Sequence, residues 1–156
     1  MLPRSVVVIA TLSLCGFSSA SFATDEWRKD AWMLPKYCQD RVDWSNPASP
    51  WHKWHGYFGN VAIHMSHYCN GVHGELMAKQ TMDTAKRNLY VAKAADEMAY
   101  VSPNCDQKCV VYAELHRRWA WALMQQGKFT EAMKHTRLAE ASPQAPIPVV
   151  PPMQAK

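Results

Sequence analysis

Residues 112–143 read YAELHRRWAWALMQQGKFTEAMKHTRLAEASP, and their reading decides the fold. The spacing predicts one helix over 110–126 and another over 130–141. Gly127 supplies a left-handed exit from the first, and Ser142-Pro143 stops the second. Upstream, Thr84 to Val101 places Leu89, Ala92, Ala95, Met98 and Ala99 at helical spacings, and SPNCDQKC ends that run. Gly59 to Lys79 is also helical: Ala62, Met65, Cys69, Val72 and Leu76 share one stripe. The opposite side carries His64, His67, Gly71, Gly74 and Ala78, small enough in part to admit another backbone. Both sides of this helix are therefore expected to be covered. No strand pattern competes. Four helices with short connections predict an all-α chain of two antiparallel hairpins, over residues 58–142.

The flanks have a different character. Residues 24–57 hold five of the seven tryptophans, Trp27, Trp32, Trp44, Trp51 and Trp54, together with Pro35, Pro47 and Pro50. They read as an irregular arm with one short helix near Glu26 to Met33, its aromatics packed on the helices behind it. Residues 143–156 hold PQAPIPVVPPMQAK, a proline-rich tail that reads as extended or disordered. At the other end, Arg4 precedes the apolar SVVVIATLSLCGF, and Ser21 and Ala23 stand at the minus-three and minus-one places of a cleavage site. Residues 1–23 read as a secretory signal, shorter than the about 20 apolar residues that span a bilayer. Leu14 stands where a lipoprotein signal needs a small side chain, which argues against Cys15 as an anchor. The expected location is periplasmic or secreted.

The formal charge is +4, with no basic run of five or more, so nucleic acid is not an expected partner. Beyond residue 23 four cysteines remain: Cys38, Cys69, Cys105 and Cys109. An even count in an exported chain points to disulfides. Three pairings are open. Cys38–Cys69 and Cys105–Cys109 are favoured, because each links neighbouring parts of the chain.

The stretch 112–143 resembles a tetratricopeptide repeat (TPR). Ala120 falls seven residues before Gly127, Ala132 five after it and Ala139 twelve after it, as in the repeat's signature of small contact residues, turn glycine and closing proline. Phe129 suits the start of the second helix, whereas Trp119 stands in the place of a leucine. Residues 59–103 resemble a degenerate repeat. LPKYC and HMSHYCNG are similar to the L-P-x-Y-C segment and H-x-H-H-Y-C helix of exported bacterial TPR proteins, with Ser66 replacing one histidine. The resemblance implies a repeat architecture whose first helices form a concave binding surface. Two repeats are few for a stable stack, so the arm is expected to cap the first hairpin through Cys38–Cys69.

On this reading the chain is a non-catalytic interaction module, an accessory or assembly subunit of an envelope complex with protein partners. His64, His67, Asn70, His116, Arg117 and Trp121 are its expected contacts, with Trp121 as the aromatic anchor. The alternative is a histidine-based metal or haem protein. HKWHGYFGNVAIHMSH offers His52, His55, His64 and His67 in two H-x-x-H pairs, suited to zinc, copper or haem iron. No acidic residue lies within that stretch to orient the imidazoles, and no C-x-x-C-H signals covalent haem. Met65, Met98, Met124 and Met133 are expected in the core. Glu75, Asp83, Asp96, Glu97, Glu114 and Glu131 read as solvated helix faces, with no acid pair, P-loop or Ser/His/Asp grouping to suggest an enzyme.

Overall fold

A computed structural model describes residues 26–142 and 147–148. The expected signal (1–23) and most of the expected tail (143–156) lie outside these residues. Among them the chain is all-helical, without a strand. The helices are α1 (Glu26–Lys29), α2 (Lys36–Arg41), α3 (Trp51–Phe58), α4 (Met65–Gln80), α5 (Thr84–Val101), α6 (Tyr112–Gln125) and α7 (Phe129–Glu140). Three 3-10 turns, Ala31–Met33, Gly59–His64 and Ser102–Asn104, join them. Two departures from expectation stand out. The stretch before α4 is more helical than its composition suggested, because Pro50 stands at the N-cap of α3, where proline starts a helix instead of breaking one. Gly59 takes φ +57°, and residues 59–64 form a 3-10 turn ahead of α4.

Helix α4 is the centre of the fold. Eight consecutive residues, Tyr68 to Glu75, are buried. Helix α5 covers its glycine side. A Cβ on Gly74 would lie 3.0 Å from the Tyr90 carbonyl and 3.2 Å from the Ala94 nitrogen. At Gly71 it would lie 2.6 Å from the Met98 terminal methyl. The stripe around Cys69 is covered by the segment that precedes α4. There Cys38 on α2 is bonded to Cys69, and Trp27, Leu34, Tyr37, Trp51, Trp54 and Phe58 join Met65, Tyr68 and Val72 in one core. Tyr37 is its hub, with its ring 5.6 Å from Phe58 and 5.9 Å from Trp54, both edge-on, the arrangement aromatic quadrupoles prefer. The indole of Trp54 donates to buried Asp40 at 2.9 Å. Trp32 points outward, 74% exposed, and Trp44 is half-exposed.

Helix α6 packs on α5 and α7 packs on α6. The α5 start is capped by Asp83, whose carboxylate accepts from the Ala85 and Lys86 amides. Gly127 has φ +74°. The Lys128 amide returns to the Leu123 carbonyl and the Gly127 amide to Met124, the glycine-dependent stop expected there. Cys105 and Cys109 are bonded and close the loop between α5 and α6. Leu89, Met124 and Met133 are exposed, against the expectation of core positions. Ile147 is half-buried and packs against the main core. No helix of the described residues is long and apolar enough to cross a membrane.

The glycine contacts order two substitutions. Alanine favours a helix over glycine by about 1 kcal/mol, and the Met98 methyl facing Gly71 can swing away. The backbone atoms facing Gly74 cannot. Gly74→Ala is therefore expected to lower unfolding free energy by about 1–3 kcal/mol, and Gly71→Ala by clearly less, as read from urea denaturation.

Candidate functional site

The expected contact residues fall into two groups. His67 and Asn70 leave α4 toward α5 and share one acid from it. His67 Nδ1 donates to Glu97 Oε2 at 2.7 Å and Asn70 Nδ2 to Glu97 Oε1 at 2.9 Å. The Tyr100 ring lies 3.9 Å from that of His67 and 5.9 Å from that of His64. The acid that orients His67 thus comes from thirty residues downstream, outside the stretch in which an acidic neighbour was sought. His116 is buried at the α6–α7 contact. Asn70 and His116, being buried, are not surface contacts as expected. Arg117 is exposed and Trp121 half-exposed, with the Lys79 ammonium 4.9 Å from the Trp121 ring.

The four histidines of the metal alternative are not brought together. His52 Nε2 donates to the Asn46 carbonyl at 2.9 Å at the surface, His55 is exposed, and His67 is engaged with Glu97. Among the described residues no group of three or more His, Cys, Asp or Glu side chains is arranged to hold a metal ion.

Sequence reasoning missed a charged network where the N-terminal segment, α4 and α6 meet. Arg118 Nη1 donates to Glu75 Oε2 at 2.6 Å, while its Nε and Nη2 reach Glu114 Oε1 at 2.8 and 2.6 Å. Tyr37 donates to the same Glu114 oxygen at 3.1 Å, and Lys79 pairs with Glu75. Glu75 is only 8% exposed, so neither it nor Glu114 is the solvated acid expected. Burial alone would push the Arg118 pKa down. Its neighbours Tyr68, Glu114, Glu75 and Tyr37 outweigh that and raise it; at neutral pH the two carboxylates are the charges that act. Burial first, and Glu114 after it, hold the Tyr37 phenol well above its ordinary pKa, so it stays a donor. The Tyr68 hydroxyl feels Glu114 but lacks hydrogen-bond geometry to it. The spacing Glu114-x3-Arg118 was the available signal, since residues four apart on a helix face each other. Glu75-x3-Lys79 carries the same signal for Lys79, but nothing local points to Arg118.

Beside this network lies an open pocket of about 210 Å³, with Met33, Leu34, Val72 and Leu76 as apolar walls and Glu75, Lys79 and Arg118 as charged ones. A second hollow of about 530 Å³ lies against α7, lined by Thr130, Met133, Lys134, Arg137 and Leu138. It presents two cations and no acid.

A third arrangement joins α6 to α7. The Nδ1 atoms of His116 and His135 are 2.9 Å apart. The ring centroids are 5.0 Å apart with an interplanar angle of 21°. The rings are therefore close to coplanar and meet edge to edge, one donating and the other accepting. Trp119 stacks on His135 at 3.9 Å, and Tyr112 meets His116 edge-on at 4.3 Å. Burial, then His135 and Lys134, push the His116 pKa down to about 4. Burial and Lys134 lower that of His135, against a smaller opposing effect of Glu131.

Comparison with protein-family models, with curated proteins and with solved structures finds no match to this chain.

Two outcomes are expected. Arg118→Met removes the guanidinium that Glu75 and Glu114 share, leaving them only Lys79 and the Tyr37 hydroxyl, and is expected to cost about 3 kcal/mol of unfolding free energy in urea. The histidine pair sets a pH dependence. Both groups bind protons more weakly folded than unfolded, so the unfolded chain takes up protons first as pH falls. Stability is fully present above the ordinary histidine value of 6.5 and declines as pH drops toward about 4. The urea midpoint measured between pH 7.5 and 5, above most carboxylate titration, is expected to fall, and a His116→Met/His135→Leu double variant is expected to flatten that slope.

Proposed function

We propose that this chain is a non-catalytic protein-interaction module, an accessory or assembly subunit of an envelope complex, exported by the signal at residues 1–23. It is read as two TPR-like hairpins, α4–α5 and α6–α7, with the N-terminal segment lying over the inner side of the first. The observation that carries this reading is the open surface where that segment, α4 and α6 meet. A pocket of about 210 Å³ there has apolar walls and a charged side, and the half-exposed Trp121 lies across Lys79 from it. Small-molecule sites run to about 300–1,000 Å³; this one suits a side chain or two from another protein. A tryptophan beside exposed Arg117 is the pairing that dominates interface energies.

The disulfides support an oxidising compartment. Cys38–Cys69 and Cys105–Cys109 account for every cysteine beyond residue 23, and such bonds persist mainly outside the cytosol.

Photo-crosslinking side chains placed at Arg117, at Trp121 and, as a control, at Lys86 on exposed α5 would test the surface in the native envelope. Adducts to a common protein are expected from the first two positions and not from Lys86. With that protein purified, Trp121→Ala is expected to weaken binding at least about tenfold, the effect of losing an interface anchor. No adduct from Arg117 or Trp121, or equal adducts from all three, would overturn the reading.

A further inference from the structure

Several cations of this fold come with acids: Arg118 has Glu75 and Glu114, Lys36 has Asp40, and Lys79 has Glu75. Arg41, at the end of α2, pairs with no acid of the described residues. Its Nε and Nη1 are buried without a hydrogen-bond partner. Its guanidinium carbon lies 5.0 Å from the Trp44 ring and 4.9 Å from the Trp51 ring. The acids nearest in sequence are engaged elsewhere. Asp40 takes Lys36 and the Trp54 indole, and Asp43 takes the Asn46 amide at 2.9 Å.

An arginine keeps its proton under all ordinary conditions, so Arg41 cannot escape burial by going neutral. Burial and the nearby charge of Arg28 both disfavour its cation. Indole faces attract the cation but accept no hydrogen bond from its edge. Buried polar groups are ordinarily satisfied, and charged donors above all. The missing element is a negative charge with oxygen acceptors.

We propose that Arg41 is the receptor of an oxyanion-binding subsite, with Trp51 as its floor and Trp44 as its cover. Trp51 is buried, whereas Trp44 is half-exposed. Trp44 sits in the turn between α2 and α3. That turn is braced by Asn46, through Asp43, the Ala48 amide and His52, and by the Ser49 hydroxyl on the Asp40 carbonyl. On this proposal the half-exposed Trp44 moves aside and the Nε–H and Nη1–H donors bind the oxygens of a carboxylate or phosphate group. Such a group comes as a free small anion or as the acidic side chain of another protein.

The Arg41 Nε–H resonance of the whole protein reads the site directly. Titration with inorganic phosphate and, separately, acetate at millimolar concentration is expected to move it saturably, while chloride at equal ionic strength does not. Tryptophan fluorescence should change in parallel, and Trp44→Phe should reduce that change at least fivefold. Arg41→Lys should abolish it. A response to phosphate alone assigns a phosphate group, and one to acetate assigns a carboxylate as a partner's acidic residue presents it. No saturable movement with either anion, or the same movement with chloride, overturns the proposal. The wild-type resonance decides this even where the variants fold poorly.

Discussion

Helix α4 has no free side along its middle two turns, and the rest of the molecule is built around that constraint. Its residues divide by size and polarity according to what covers them. Gly74 meets the backbone of α5 and Gly71 its Met98 and Glu97 side chains, and Ala78 shares their side. Met65, Cys69 and Val72 meet the aromatic cluster of the N-terminal segment. Glu75, at the end of the buried stretch, meets Arg118 of α6. A two-sided helix has no amphipathic signature, and its stability depends on both neighbours at once. Covalent linkage of Cys38 to Cys69 suits this arrangement, because it limits how far one neighbour strays in the unfolded chain.

Much of this was legible in the sequence. The bounds of α5 match the expectation, since nothing interrupts Thr84 to Val101 and Asp83 supplies a capping acid. The two faces of α4, the left-handed Gly127 and both cysteine pairings follow from spacing and chain proximity. The errors share a cause. Helical phase says which side a residue occupies, not what lies opposite. His67 was placed with Gly71 and Gly74 on one side of α4, and that side faces α5, where Glu97 takes both His67 and Asn70. Glu75 looked solvated because Arg118, which buries it, arrives from another helix. Pro50 looked like a breaker because a helix interior and a helix start treat proline in opposite ways.

The ionisable groups in the interior are structural in their geometry. Arg118 gathers two acids and, through Glu114, the Tyr37 phenol, so one side chain fixes three elements together. His116 and His135 hold α7 to α6 by a bond that carries a single proton between two rings. The second contact weakens in mild acid, because burial holds both imidazoles below the ordinary histidine pKa.

Of the four cysteines beyond residue 23, the two disulfides join consecutive ones, first with second and third with fourth. A polypeptide delivered N-terminus first into an oxidising compartment presents Cys38 and Cys69 together before Cys105 has emerged. An oxidase that joins thiols in order of arrival then produces the native connectivity at once, with no need for a shuffling step to repair it. With export as proposed, maturation of this chain would suit a simple oxidant acting during translocation.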